Sequence, residues 1–231
     1  MEYQDHHPPP SPTDGAAVHP EDLPRPFDLP VGDGPGAGKT LTFANTLRLL
    51  PGKRLVGSGS WGDHPVLIKV FYGKNPRKYW QREDRGARIL QAAPAAAPKL
   101  LHSGRVPGRD WHVVVLEWID EARTLDQAWR EAPDDQSRDA LVRQLLDHLA
   151  ANQRAGVLQN DKHLSNFLLA TGLVYSIDGA QDTAVTQLGR ARALRHQPQL
   201  LAALPLRMQP RIPGLLQHYQ DALGPLVENA T

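Results

Sequence analysis

Three β-prone runs separated by very short turns constrain this chain more than any other feature. LTFANTLRLL (41–50), KRLVGSGSW (53–61) and PVLIKVF (65–71) are punctuated at Pro51-Gly52 and Gly62-Asp63. Turns that short join antiparallel neighbours, because a parallel pair needs a crossover of about a dozen residues or more. The pattern therefore predicts a small antiparallel sheet. NPRKYWQREDRGARILQ (75–91) then places a proline in a first turn and spaces Trp80, Ala87 and Leu90 as a helix would. APKLLHSGRV and RDWHVVVLEWI read as two further strands, and TLDQAWREA as a short helix. Residues 134–154 form the clearest amphipathic helix, with acids at the start and Leu141, Leu145, Leu146 and Leu149 on one face. A polar loop, the short runs NFLLA and LVYSID around a Thr171-Gly172 turn, and a Leu-rich helical tail complete the order. The expectation is an α+β chain: a small sheet with one helix, then a mainly helical part.

Residues 1 to about 37 are dense in Pro, Gly, Asp and His and lack apolar periodicity, so they are expected to form a flexible tail. His6, His7 and His19 there read as solvated. GPGAGKT (34–40) resembles a phosphate-binding P-loop, G-x-x-x-x-G-K-[ST], but Asp33 stands where its first glycine belongs. The preceding PRPFDLPV carries three prolines and cannot be the central strand a P-loop leaves. A net charge of +1 gives no reason to expect nucleic acid, and the five tryptophans read as packing residues. The absence of cysteine excludes a disulfide framework and thiolate metal sites. No apolar run approaches the roughly 20 residues of a membrane span, and MEYQDHHPPPSPTDG lacks a signal pattern, so the expected location is cytoplasmic.

The chemistry concentrates in LQNDKHLSNFLLATGLVYSIDGA (158–180). Asp161, then Asn166 five residues on, then Asp178 after a strand pair is the spacing needed for one carboxylate to orient a hydroxyl while two oxygen ligands hold magnesium on a triphosphate. Each residue alone is ordinary, since Asp and Asn favour turns and caps and strand lysines snorkel to water. Asp161, Asn166 and Asp178, with Lys69 and Glu83 upstream, make five such residues in one order and carry more weight together. They resemble the catalytic loop H-R-D-x-x-x-x-N and the D-F-G aspartate of the protein-kinase-like fold. Upstream, Lys69 in Val66-Leu67-Ile68-Lys69 matches the lysine that grips the nucleotide phosphates, and Glu83 its ion-pair partner.

The branch is narrower. TLRLLPGKRLVGSGSWGDHPVLIKVF, followed by YWQRE and a late NFLL…YSIDG, is similar to the bacterial lipopolysaccharide core (Kdo/heptose) kinase family, with aminoglycoside-phosphotransferase-like enzymes as next neighbours. His163, two residues after Asp161, suits small-molecule and lipopolysaccharide kinases, where protein kinases carry lysine. The absence of an A-P-E-type activation segment points away from a protein acceptor. Two departures stand out: Gln159-Asn160 replaces H-R, and Gly179-Ala180 replaces F-G. Neither removes a metal ligand or the base.

The resemblance implies a two-lobed fold: a tail over 1–40, a sheet lobe and hinge over 41–120, and a compact helical lobe over 121–231. It implies ATP and Mg2+ as cofactors. Asp161 would be the base, with Lys162 and His163 beside the transferring phosphoryl group. Asn166 and Asp178 would be metal ligands. Lys69, Glu83, Lys53 and backbone groups of Glu117 and Ile119 in the hinge would bind the nucleotide. GSGSWG (57–62) matches G-x-G-x-x-G, but Gly62 lies too close to Lys69 for a phosphate loop. Pro51-Gly52-Lys53 is the better hairpin tip, with Lys53 or Arg54 as phosphate contact. The implied acceptor is a sugar of the lipopolysaccharide inner core, reached at the cytoplasmic face of the inner membrane. The Arg-rich 190–196 reads as a solvated helix face, with contact to an anionic acceptor or membrane surface as the secondary reading. A pseudokinase-like nucleotide-binding scaffold in envelope stress or tolerance is the alternative.

Overall fold

The structure, a computed structural model, describes residues 18–31, 40–159, 163–178, 181–183 and 206–224. Among these, every strand pair is antiparallel. The main sheet contains β1 (Phe27–Leu29), β2 (Leu41–Leu50), β3 (Arg54–Trp61), β4 (His64–Phe71), β5 (Leu100–Arg105) and β6 (His112–Glu117), in the order β1-β2-β3-β4-β6-β5. Gly62, at φ 60°, supplies the left-handed corner of the two-residue β3–β4 turn. Alternation along β4 sorts its two faces. Val66, Ile68 and Val70 join Leu55, Phe43 and Val113 in one core, while Leu67 and Phe71 face Ala87 and Trp80 of α1 (Pro76–Gln91). The proline at the start of α1 costs no hydrogen bond there, because a first-turn N–H has no intrahelical partner.

The segment expected as tail is partly built into this sheet. Phe27↔Phe43 and Leu29↔Leu41 pair in register, the two phenylalanine rings stack at 5.1 Å, and Leu29 is buried. The prolines flanking FDL hold it to a short edge strand, where missing N–H donors cost nothing. Ahead of it, Tyr72 donates its hydroxyl to Glu21 at 2.8 Å, and Gly52 N–H reaches the other Glu21 oxygen at 3.4 Å. That pairing and burial push the Tyr72 pKa up, and the tyrosine hydrogen bond is the main cause holding Glu21 below its ordinary value. Residues 32–39, which carry most of GPGAGKT, lie outside the described residues, as do His6, His7 and the 190–196 stretch.

After the linking residues 118–122 come β7 (Arg123–Thr124), α2 (Leu125–Glu131) and α3 (Asp135–Arg154). Asp134 caps α3, its carboxylate accepting the Ser137 N–H at 2.7 Å. VLQ, expected in a polar loop, forms β8 (Val157–Gln159) and pairs with β11 (Gln181–Thr183). The expected hairpin is present: β9 (Phe167–Ala170) and β10 (Leu173–Ser176) turn through Thr171 and Gly172, both at positive φ. Of the Leu-rich tail, the described part is a 3-10 turn and α4 (Ile212–Leu223). Leu145, Leu146, Leu149, Phe167, Leu215 and Tyr219 make a second core, separate from that of the main sheet.

Candidate active site

Glu83 occupies the buried stripe of α1, at helical spacing with Gly86, Ala87 and Leu90. A carboxylate there requires a partner, because an isolated buried charge is too costly to keep. Lys69, in β4, supplies it: its ammonium donates to Glu83 Oε1 and, at 2.7 Å, to the carbonyl oxygen of Ile177. Arg54, the first residue of β3, brings Nη1 to 3.5 Å from Glu83 Oε2. Lys69 and Glu83 are each only 5 % exposed. Pairing places Lys69 opposite Val56, and Val56 opposite Arg48, so the three side chains form one cross-strand row.

The Ile177 carbonyl that Lys69 grips belongs to the segment ending in Asp178. Ile177 N–H donates to Asn166 O at 3.1 Å, and Ser176 N–H to Ala96 O at 3.1 Å. Below them, His148 of α3 contacts Ser176 Oγ through Nε2 at 2.7 Å and stands edge-on to Phe167. Burial pushes the His148 pKa down to about 4, so the ring is neutral at pH 7. A chain of contacts thus runs from α1 through Lys69 to the two residues expected as metal ligands.

These groups line a cleft of about 660 Å³. Leu47, Val56, Leu67, Trp118, Ile119 and Leu168 make its apolar walls, and Lys69, Arg48, Arg54, Asn166, His163 and Asp178 contribute polar groups. Apolar walls with a few converging polar groups suit a ligand with an apolar body and a charged tail. At the link after β6, the N–H and C=O of Ile119 make no hydrogen bond among the described residues. Glu117 differs: its N–H donates to Lys99 O at 2.8 Å and its carboxylate accepts from Lys99 N–H at 3.2 Å. His163 caps the 3-10 turn Leu164–Asn166, with Nδ1 accepting from Ser165 N–H at 3.3 Å. Nδ1 also lies 2.8 Å from Ser165 Oγ.

The structure therefore brings Lys69, Glu117, Ile119, His163, Asn166 and Asp178 to one cleft, with Glu83 reaching it through Lys69. Asp161 and Lys162 lie outside the described residues. Of the two alternatives Lys53 and Arg54, Arg54 lines the cleft, and Lys53 sits on the Pro51–Lys53 turn outside its lining. Strand alternation is the reason, since it turns Arg54 and Val56 to the face that carries Lys69. GSGSWG is mostly strand, as the spacing required. Arg48, Trp118, Arg123, Gln127 and Ser165 also line the cleft and were not expected there. Register shifts between Phe43 and Asn45 and between Thr46 and Arg48 interrupt β2 but cancel in parity, so Arg48 lies on the face opposite to that of Phe43 and pairs with Val56.

No family model matches the sequence, and no curated protein matches it. Among solved structures, one described as WaaP in complex with acyl carrier protein is 22% identical and covers 77% of this chain and 87% of that chain, with a TM-score of 0.47. Superposition that loose leaves the functional reading to the cleft's own residues.

Proposed function

We propose that this chain is an ATP- and magnesium-dependent phosphotransferase whose acceptor is a sugar hydroxyl. One observation carries the reading: the buried Lys69–Glu83 pair, with Lys69 also held by the Ile177 carbonyl beside Asp178. A buried ion pair is weak evidence for stability, since well-packed apolar residues often serve as well. One that links a helix, a strand and the segment ending in Asp178 at a cleft wall is better explained by a need to place an ammonium beside phosphate oxygens.

In this reading Trp118, Ile119 and the apolar walls hold adenine, and the unpaired Ile119 N–H and C=O give it hydrogen bonds. Lys69, braced by Glu83, steadies the phosphates. Asn166 and Asp178 are oxygen ligands suited to magnesium, which when bound would neutralise charge on the phosphates. Asp161, by the resemblance of its loop, takes the proton of the acceptor hydroxyl as that oxygen attacks the terminal phosphorus and ADP departs. By the same resemblance, Lys162 and His163 would stand beside the transferring phosphoryl group. The inner-core sugar and the membrane-face location rest on the family resemblance.

Calorimetry of Mg-ATP binding tests the proposal on wild type, Lys69→Met and Asp178→Asn, followed by phosphoryl transfer to isolated Kdo and heptose acceptors. The expected result is binding by wild type, weakened at least about tenfold in Lys69→Met, the cost of one charge-assisted contact. Asp178→Asn should lose the magnesium dependence. A wild-type protein that binds no nucleotide sinks the proposal. Nucleotide binding without transfer, unaltered in Asp178→Asn, identifies the scaffold alternative instead.

A further inference from the structure

We infer that the phosphates of the bound nucleotide are held by the side chains of Arg48 and Arg54 in place of loop backbone amides; this rests on the phosphotransferase reading above. A backbone cradle for phosphate needs N–H groups that can converge on the anion. The β2–β3 turn, which borders this end of the cleft, has committed its own. Gly52 N–H donates to Glu21 at 3.4 Å, and Lys53 N–H to Leu50 O at 3.0 Å. The turn's carbonyls are engaged as well, Lys53 O by Tyr72 N–H at 3.1 Å and Gly52 O by Lys74 N–H at 3.4 Å. Gly73 packs so closely that a Cβ there would lie 2.2 Å from Gly52 O. The turn is stapled from behind and offers no cradle.

The other glycines nearby offer none either. Gly57 and Gly59 lie within β3, where an added Cβ would meet the Phe43 ring and Thr42 O at 2.1 and 2.0 Å. They admit close packing on the core face.

Cationic side chains fill the opposite face. Arg48 and Lys69 flank Val56 in one row, and Arg54 stands two residues before Val56 on the same face of β3. Arg48 lines the cleft and makes no hydrogen bond or ion pair among the described residues. Arg54 shares Glu83 with Lys69, yet its buried Nε–H has no partner among the described residues. Arg48, Arg54 and Lys69 outnumber the Glu83 carboxylate in this cluster, while Glu117 and Asp178 line other parts of the same cleft. Guanidinium groups, planar and always charged, match phosphate oxygens in paired hydrogen bonds. The ligand group they fit is a nucleotide polyphosphate.

The test compares Mg-ATP with adenosine, by calorimetry on the full chain, for wild type, Arg48→Ala, Arg54→Gln and Lys78→Ala, an exposed α1 cation away from the cleft. Arg48→Ala and Arg54→Gln should each weaken Mg-ATP at least about tenfold, the worth of one charge-assisted contact. Adenosine affinity should stay within about twofold of wild type, since it carries no phosphate. Lys78→Ala should alter neither. Because the Arg48 side chain has no partner among the described residues, its variant decides the matter even if Arg54→Gln disturbs Glu83. Arg48→Ala binding Mg-ATP like wild type, losing adenosine in parallel, or losing no more than Lys78→Ala, overturns the inference while nucleotide binding stands. Wild type binding neither ligand instead removes the phosphotransferase reading on which it rests.

Discussion

Burial keeps His148 neutral between Ser176 and Phe167, and that has a consequence for stability. The unfolded chain takes up this proton near the ordinary histidine value of 6.5, whereas the folded chain resists until about pH 4. As pH falls through that window the unfolded state gains protons first, so stability is lost on acidification and is fully present above about pH 7. The expected loss between pH 7 and 5 is roughly 2 kcal/mol from this residue. His102 and His112, also lowered by burial, add in the same direction. Urea unfolding at both pH values should show a steeper decline for wild type than for His148→Gln; equal declines would refute the assignment. His148 was legible only as a polar break on the face of an amphipathic helix. Glu83 had a clearer signal, a carboxylate within the apolar stripe of α1, although its second partner, Arg54, was not expected.

Within β3, Gly57 looks like part of a phosphate-binding pattern and functions as a packing residue. The Phe43 ring occupies the space its side chain would need. Gly57→Ala should therefore destabilise the protein by about 1–3 kcal/mol or more through overpacking, with little change in nucleotide affinity at permissive temperature. Thermal melts and ATP titration on the variant check both halves; a normal melt with lost ATP binding would restore the glycine-loop reading. The strands, α1 and α3 were readable because turn residues, alternation and helical spacing are local signals. β8 and β11 were not, since each has three residues and exists only by pairing with the other.

For the molecule as a whole, the boundary placed at residue 40 matters most. β1 covers the edge of the main sheet, and Glu21 staples the β2–β3 turn that borders the cleft. A chain beginning at Leu41 loses the burial of Phe27 and Leu29, on the order of 4 kcal/mol, and should melt about 10 °C below one beginning at Val18. Equal melting temperatures would show the edge strand to be dispensable. Sequence alone reads this segment as tail because a three-residue strand between prolines has no periodicity of its own. It is held by Phe43 and Leu41, which lie in a different run of the chain.

Local chemistry settled a good deal in advance: the antiparallel meander, the helix that follows it, the Thr171-Gly172 turn, and the order Lys69, Glu83, Asn166, Asp178. Turn glycines and apolar spacing act between near neighbours, so one chain suffices to read them. Long-range contact settled the rest. Lys69 meets a carbonyl 108 positions away, pairing of β2, β3 and β4 sets Arg48, Val56 and Lys69 in one row, and Arg54 rather than Lys53 stands at the cleft wall. Those outcomes depend on how strands register and which faces pack together, and no window of sequence contains that information.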